Sequence, residues 1–168
     1  DLSFRFPGSA QDVLKGISFE APPGALVAVT GPVGSGKTAL ATALTGLYPY
    51  AGQVRVDGHE LGELSPLERV ATVAYSGQDS FIFSASLAQN ITLRQTEDVD
   101  PDEAALQQAL HVSALAEDLD LFPQGLATVV GERGTRVSGG QRQRISLARA
   151  IYAATPLLVL DDPFSAVD

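Results

Sequence analysis

A glycine-rich stretch at residues 31–38 holds the side chains best suited to chemistry. It reads Gly-Pro-Val-Gly-Ser-Gly-Lys-Thr and fits the phosphate-binding pattern G-x-x-x-x-G-K-[ST]. Glycines allow backbone N–H groups to turn inward around a polyphosphate, and a helix that begins there adds partial positive charge. We expect Lys37 to reach the β- and γ-phosphates and the Thr38 hydroxyl to bind Mg²⁺. The predicted nucleotide-binding residues are Gly31, Pro32, Val33, Gly34, Ser35, Gly36, Lys37, Thr38 and Ala39.

The elements around this stretch support that interpretation over a glycine-rich surface turn that happens to carry a lysine. Residues 26–30 are apolar and predict a buried strand, and residues 39–44 predict a helix. Further strands are predicted at residues 2–6, 17–20, 53–57 and 71–75. The last strand is the continuous apolar run at 157–160, which is typical of a parallel strand buried on both faces.

From about residue 84 the pattern becomes helical. Residues 86–90 open this region, and Pro101 followed by Asp102 predicts a helix start with acid in its first turn. Ser138 predicts the cap of a helix over 139–153. Strands around a phosphate loop with helices between them indicate an α/β fold.

Composition excludes several classes of protein. The chain has 168 residues, enough for one domain with a core, and a net charge of −9, which argues against a nucleic-acid binder. It has no cysteine, hence no disulfide framework and no thiolate metal site. Because it begins at Asp1 and has no methionine, we expect it to be a piece of a longer protein.

Four further motifs follow the phosphate loop in order: Gln78 after the strand at 71–75, Val-Ser-Gly-Gly-Gln-Arg-Gln-Arg at 137–144, Asp161-Asp162 after the last strand, and Ser-Ala-Val-Asp at 165–168. Together they resemble the Q-loop, signature, Walker B and D-loop motifs of ABC transporter ATPases, and the resemblance covers essentially the whole chain. It implies a P-loop NTPase (RecA-like) core with an N-terminal antiparallel β subdomain and an inserted helical subdomain. The implied boundaries are 1–83 and 146–168 for the core and 84–145 for the helical part.

The resemblance also implies roles for single residues. Ser138, Gly139, Gly140 and Gln141 would bind the γ-phosphate held by a second nucleotide-binding domain in a head-to-tail dimer; a flexible turn before a helix is the alternative. Gln78 would complete the Mg²⁺ site with Thr38 and Asp161, and would sense the γ-phosphate. Phe6 would stack on adenine, although a core position is nearly as well supported because either Phe4 or Phe6 must face inward. The implied catalytic residues are Lys37, Gln78 and Asp162.

Two departures from the family pattern bear on hydrolysis. The catalytic base of the family is a glutamate after the Walker B aspartate, whereas this chain has Asp162, whose carboxylate reaches about 1.5 Å less far. Such a site resembles the degenerate half of asymmetric exporters, which predicts slow hydrolysis. The family's switch histidine lies beyond the D-loop; His59 and His111 precede the signature and are expected to be ordinary surface residues. We therefore expect weak or no hydrolysis by the isolated piece, with exposed sheet edge and apolar surface.

Segments at 81–91 and 128–134 resemble the exporter type, in which the second contacts a transmembrane domain. The resemblance implies ATP and Mg²⁺ as ligands, a second nucleotide-binding domain and a transmembrane domain as partners, no nucleic acid, and a place at the cytoplasmic face of the membrane. Three alternatives stay open: a soluble ABC ATPase acting on DNA or ribosomes, an ATP-dependent dimerisation module without catalysis, and an importer subunit.

Overall fold

The computed structural model describes residues 1–94, 101–132 and 134–163. Contacts between Cα atoms divide the chain into two units, Asp1–Val73 and Ala74–Asp168. The predicted boundaries at 83/84 and 145/146 separate core from helical insertion by family pattern, and they stay a prediction. Across the described residues, every helix is too short or too polar to cross a membrane.

The first unit packs a small antiparallel sheet against a helix. Its elements are β1 (Leu2–Phe4), β2 (Leu14–Ile17), α1 (Lys37–Leu44), β3 (Ala51–Gly52), β4 (Arg55–Val56), β5 (His59–Glu60) and α2 (Pro66–Thr72). The central strand β1 pairs with β2 and β3, and β4 and β5 form a separate hairpin. Asp57 and Gly58 both have positive φ in that hairpin turn, which confirms the Asp-Gly turn signal. The core consists of Leu2, Phe4, Leu14, Ala39, Leu40, Ala43, Val54 and Leu61.

The predicted strand at 26–30 is wrong. No strand is assigned there, and Leu26 is 97% exposed. A parallel-type strand is stable only where neighbours satisfy its backbone on both sides, and the sheets of this unit, β2-β1-β3 and β4-β5, provide no such neighbour. Two other strands are displaced from their predicted positions. The strand predicted at 17–20 is β2, which ends at Ile17. The strand predicted at 71–75 begins only at Val73, because α2 extends to Thr72.

Tyr50 is linked to the β4–β5 hairpin through Glu60. Its hydroxyl donates to Glu60 Oε1 at 2.9 Å, and the same oxygen accepts from the backbone N–H of Val54 at 3.1 Å. Burial, and then the hydrogen bond to Glu60 and its charge, raise the pKa of Tyr50 to about 12. The neutral phenol is therefore the form that the folded state favours.

We expect the folded protein to contain a tyrosine that ionises near pH 12, and Tyr50→Phe to remove it. Because the folded-state pKa lies above the ordinary 10.0, the stability linked to Tyr50 is complete below pH 10 and is lost as the pH rises through about 12. Phenolate absorbance measured against pH tests this. Glu60→Gln is the control, since removal of the neighbouring charge should bring the ionisation of Tyr50 closer to its ordinary pKa. An unchanged titration in Tyr50→Phe would contradict the assignment.

The second unit is mainly helical. It contains β6 (Val73–Ser76, beginning at the last residue of the first unit), β7 (Ala85–Ser86), α3 (Leu87–Thr92), α4 (Glu103–Val112), β8 (Val129–Val130), α5 (Gly139–Tyr152) and β9 (Leu157–Leu160). Strand β6 lies beside β9, and β7 pairs antiparallel with β8. The predicted cap at Ser138 is confirmed. Helices also begin where they were predicted near 86 and 101, but Asp102, which was expected inside the first turn, is the cap of its helix, as Ser86 is of the other. The core consists of Leu87, Ile91, Leu106, Ala109, Leu110, Leu115, Phe122, Val130, Ile145 and Ala148.

Strand β9 forms where it was predicted but is less buried than expected. Val159 is buried, whereas Leu158 and Leu160 are 41% and 38% exposed. A continuous apolar run predicts a strand with covered faces, but β9 pairs with only one strand, β6, among the described residues. One edge of β9 is therefore open, and the face that carries Leu158 and Leu160 is partly exposed as well. Both features fit the expectation of exposed sheet edge and apolar surface.

Helix α5 is held to the rest of the unit by two arginines. Arg149 donates to the Asn90 carbonyl at 2.7 Å and lies 5.5 Å from the centre of the Phe83 ring. Asn90 is fully buried and its amide binds the backbone of Phe83 in both directions, at 2.8 and 3.0 Å. Arg144 makes an ion pair with Asp118, at 2.7 Å from both Nε and Nη2. The first arginine fixes the segment before α3, and the second fixes the residues after α4.

We expect Arg144→Met to lower the free energy of unfolding by about 3 kcal/mol, because it leaves the Asp118 carboxylate buried without its cation. The pair is mostly covered, with side chains 22% and 12% exposed. Urea unfolding measures the effect, and the double variant Arg144→Met/Asp118→Leu should recover most of the loss. The exposed pair Arg5–Asp12, at 3.6 Å, is the matched control, and Arg5→Met should cost less than about 1 kcal/mol. Equal losses in the two arginine variants would contradict the prediction.

Candidate functional site

The predicted phosphate loop precedes α1, as the pattern requires. Lys37 is the first residue of the helix, and its ammonium folds back over the loop to donate to the carbonyl oxygens of Gly31 and Pro32, at 2.9 and 3.0 Å. The loop carbonyls thus hold the ammonium at the helix N-terminus, where an anion is also attracted. The geometry places the lysine charge and the helix terminus at one point.

Glycine is required at the residue before Lys37. Gly36 has φ +93°, in the left-handed region that side chains disfavour, and a Cβ there would lie 3.1 Å from the Leu14 side chain. Leu14 is a buried residue of β2. The loop backbone at Gly36 therefore packs directly against the core of the first unit, and this contact fixes its position.

The loop is accessible to a ligand. Val33 and Thr38 are exposed, and a cavity of about 160 Å³ opens beside Ser35, Gly36 and Lys37. Phe6 is 38% exposed and packs edge-to-face on Phe4, which is buried, with ring centres 5.0 Å apart. Of the two phenylalanines, Phe4 is the one that faces the core, so the ring of Phe6 is accessible to a planar ligand.

A second potential anion site lies at the start of α5. Ser138 caps the helix, its hydroxyl accepting from the Gln141 N–H at 3.1 Å, while the Gln141 side chain accepts from the Ser138 N–H at 2.9 Å. Gly139 and Gly140 form the first turn, where backbone N–H groups have no intrahelical acceptor. The reciprocal cap makes this terminus rigid, and it argues against the alternative of a flexible turn.

The two aspartates after β9 differ in their surroundings. Asp161 is 7% exposed, and its backbone N–H donates to the Ser76 carbonyl at 2.9 Å, whereas Asp162 is exposed. Burial, followed by the charge of Asp161 and a hydrogen bond to it, raises the pKa of Tyr75. The backbone of Asp161 is thus fixed by β6, and its buried carboxylate has the Tyr75 phenol beside it, whereas the Asp162 side chain is exposed to water.

Within the second unit, Gln78 lies close to α5, which we call the signature helix because it begins inside the motif at 137–144. Gln78, Gly139 and Arg142 line one cavity of about 300 Å³ together with Asp79, Ser80, Phe81 and Gln143. The phosphate loop and Phe6 belong to the first unit, and Asp161 and Asp162 to the second. His59 and His111 are exposed, as predicted. The motif at 165–168 and Arg133 of the 128–134 segment lie outside the described residues.

Two residues near the site, Tyr75 and Gln143, were not predicted from the sequence. Gln143 is 4% exposed and its amide donates to the Asp162 carbonyl at 2.9 Å. A signal was present: positions 143 and 146 fall on the same helical face as Ala150, where an apolar residue is expected, and both are polar. A polar residue at a core position of a helix indicates a buried hydrogen bond.

The donors implied for Mg²⁺ suit a hard cation. They are a hydroxyl, an amide oxygen and a carboxylate, and magnesium prefers oxygen ligands and is usually held by one or two carboxylates together with substrate phosphates. Among the described residues, no group of three or more His, Cys, Asp or Glu side chains could hold a metal ion. Taken singly, the three donor groups fit magnesium.

Comparison with known proteins identifies the family. The ABC transporter family model matches residues 14–165. The chain is 36% identical to an ATP-dependent lipid A-core flippase of Cupriavidus pinatubonensis, over 99% of this chain and 28% of that protein. It is 41% identical to the mycobactin import ATP-binding/permease protein IrtB of Mycolicibacterium thermoresistibile, over 98% and 28% of the two chains.

Comparison with solved structures identifies the same family. A bacterial Atm1-family ABC exporter with ATP bound superposes on 99% of this chain and 30% of its own, with a TM-score of 0.82 and 31% identity. The chain therefore spans less than a third of the length of the relatives it matches. With its phosphate loop, its capped signature helix and its paired aspartates in the family order, this chain is an α/β P-loop NTPase domain that belongs to the ABC transporter family.

Proposed function

We propose that this chain is the ATP-binding and ATP-hydrolysing motor of an exporter-type ABC transporter. The observation that carries the proposal is the geometry of two potential anion sites on one chain: Lys37 over a glycine-rich loop, and the serine-capped start of α5. A single nucleotide needs only one phosphate loop. A second, rigid anion site is explained by a head-to-tail dimer in which it closes over the ATP of the partner domain.

Each predicted site residue has a separate role in phosphoryl transfer from ATP to water. Lys37 exchanges the carbonyls of Gly31 and Pro32 for the β- and γ-phosphate oxygens, and neutralises charge that develops in the transition state. Thr38, Gln78 and Asp161 would hold Mg²⁺, which supplies further charge neutralisation when it is bound with the nucleotide. Phe6 offers its exposed ring to adenine.

Asp162 is the proposed general base. Its exposed carboxylate would accept a proton from the attacking water, while the partner's signature helix would bind the γ-phosphate through the hydroxyl and N–H groups that correspond to Ser138, Gly139 and Gly140. The shorter reach of aspartate makes this a slow site. In an asymmetric pair, this chain would hydrolyse little itself and would complete the site of a partner that has glutamate.

Transport at a membrane is the proposed use of this ATPase. The names of two relatives, a lipid A-core flippase and a mycobactin import protein, share ATP-driven movement across a membrane but differ in cargo. We infer a transmembrane domain as partner and a position at the cytoplasmic face. The alternatives, a soluble ABC ATPase or an ATP-dependent dimerisation module, receive less support because these relatives are transport proteins.

A substitution in the signature helix tests the proposal. In the complete protein that carries this chain, Gly139→Asp places a carboxylate where the partner's phosphate would bind, and ATP turnover should fall at least about a hundredfold. Ala104→Asp is the matched control: it adds the same charge at an exposed residue in the first turn of another helix of the same unit, where an acidic side chain is favoured, and should leave turnover within about twofold. Turnover retained in Gly139→Asp would reject the head-to-tail site.

A further inference from the structure

Three hydrogen bonds meet where β9 ends. The Gln143 amide donates to the Asp162 carbonyl at 2.9 Å, and the Asp161 N–H donates to the Ser76 carbonyl at 2.9 Å. The third joins the hydroxyls of Ser76 and Ser146, at 3.0 Å in the interior. Both aspartates after β9 are therefore held through their backbones, one by β6 and the other by α5.

The glutamine is buried for a reason that packing does not supply. Gln143 is 4% exposed, and an amide removed from water without a partner costs about 1–3 kcal/mol. Gln143 and Ser146 are three residues apart and share a face of α5. The first contacts Asp162 and the second contacts β6, so this face of the signature helix is fitted to the ends of two strands.

Asp162 has an unusual backbone. Its φ is +54°, in the left-handed region, where a non-glycine residue costs about 1 kcal/mol and aspartate is among the better tolerated. Such a conformation persists only where neighbours hold it. The Gln143 amide binds the carbonyl of this very residue, so it opposes relaxation of φ and ψ, and it thereby fixes the direction in which the Asp162 side chain leaves the backbone.

We propose that Gln143 is a positioning residue for the Asp162 carboxylate. It holds the left-handed backbone that aims the carboxylate at the attacking water. The signature helix would then have two roles: its first turn binds the phosphate of the partner's ATP, and Gln143 positions the general base of its own chain. This inference rests on the proposed function, since it assigns how Asp162 is held for hydrolysis. It also gives a physical reason for aspartate at 162, because a left-handed backbone suits Asp better than Glu.

The test compares ATP turnover in four versions of the complete protein: wild type, Gln143→Met, Asp162→Asn and the double variant. The turnover that Asp162→Asn removes is the share due to this site. Gln143→Met keeps the side-chain volume but not the hydrogen bond, and should remove about nine tenths of that share with KM for ATP within about twofold, since misplacement by an ångström is costly in turnover. The double variant should lose no more than Asp162→Asn alone.

Ser146→Ala is the matched control. It removes a buried hydrogen bond from the same helix face without touching Asp162, and turnover should stay within about twofold of wild type. If Gln143→Met caused the same loss in the wild-type background and in the Asp162→Asn background, its role would be merely structural and the inference alone would be overturned. No loss would overturn it as well. Absence of turnover in wild type would instead reject the proposed function, and the inference with it. No loss in Asp162→Asn would show that Asp162 is not the base for the measured turnover, which overturns the inference and leaves the proposed motor function standing.

Discussion

Replacement of Lys37 by alanine is expected to weaken the binding of Mg-ATP to this chain by at least about tenfold. The ammonium already lies over the loop, bound to two carbonyls at 2.9 and 3.0 Å, so it needs little rearrangement to meet phosphate oxygens. A hydrogen bond that involves a charged group contributes about 1.5–3 kcal/mol, and one factor of ten in affinity corresponds to about 1.4 kcal/mol. Isothermal titration calorimetry with Mg-ATP measures the change.

The chain offers a control for charge alone. Lys15, the other lysine, is exposed on β2, so Lys15→Ala removes the same charge from the same unit without touching the loop. Its affinity for Mg-ATP should match that of the wild type. Equal affinity in the Lys37→Ala variant, with both variants folded by circular dichroism, would mean that the loop is not the nucleotide site.

Lengthening Asp162 to glutamate is expected to raise ATP turnover at the site that holds this residue at least about tenfold, and so to raise the turnover of the complete protein. General-base catalysis contributes about 10²–10⁴ in rate, and the extra methylene restores about 1.5 Å of reach toward the water. The left-handed backbone opposes the gain, since glutamate tolerates φ of +54° less well than aspartate, but that cost is only about 1 kcal/mol. Steady-state ATP hydrolysis by the wild type and by Asp162→Glu measures whether the added reach outweighs the backbone strain.

Asp120→Glu is the control for this prediction. Asp120 is exposed on the short 3₁₀ segment Leu115–Leu121, so the same lengthening there should leave turnover unchanged. If Asp162→Glu gave no rise in an otherwise active assembly, the slow turnover of this site would not be a matter of reach. The asymmetric-pair hypothesis would then lose its basis.

The functional motifs were predictable because they depend on local chemistry. The loop at 31–38 needs glycines, a lysine and a helix start, all of which are adjacent in sequence. Ser138 and Gln141 form a cap that is fixed by spacing alone. The predicted helix after the loop and the predicted cap at Ser138 are therefore confirmed, whereas the nucleotide-binding roles of these residues stay a prediction.

The remaining errors have a common cause, since they concern long-range contacts. Residues 26–30 have strand composition, but pairing depends on neighbours that composition does not specify. The contact between Gln143 and Asp162 joins residues 19 apart along the chain and depends on where β9 meets α5. Likewise, no local pattern indicates that Asn90 would be buried against Arg149, 59 residues away.

The reciprocal cap at the start of α5 restricts which residues position 138 can tolerate. The same cap occurs at Ser65 and Ser86, at the N-termini of α2 and α3, to which no ligand role is assigned. At Ser138 the lone pairs of the hydroxyl accept from Gln141, which leaves its proton to point outward toward an anion. Aspartate caps a helix as well as serine does, but it has no proton to offer and would repel phosphate. Mutational tolerance should therefore be narrow at 138, with threonine the main substitute, and broad at 65 and 86.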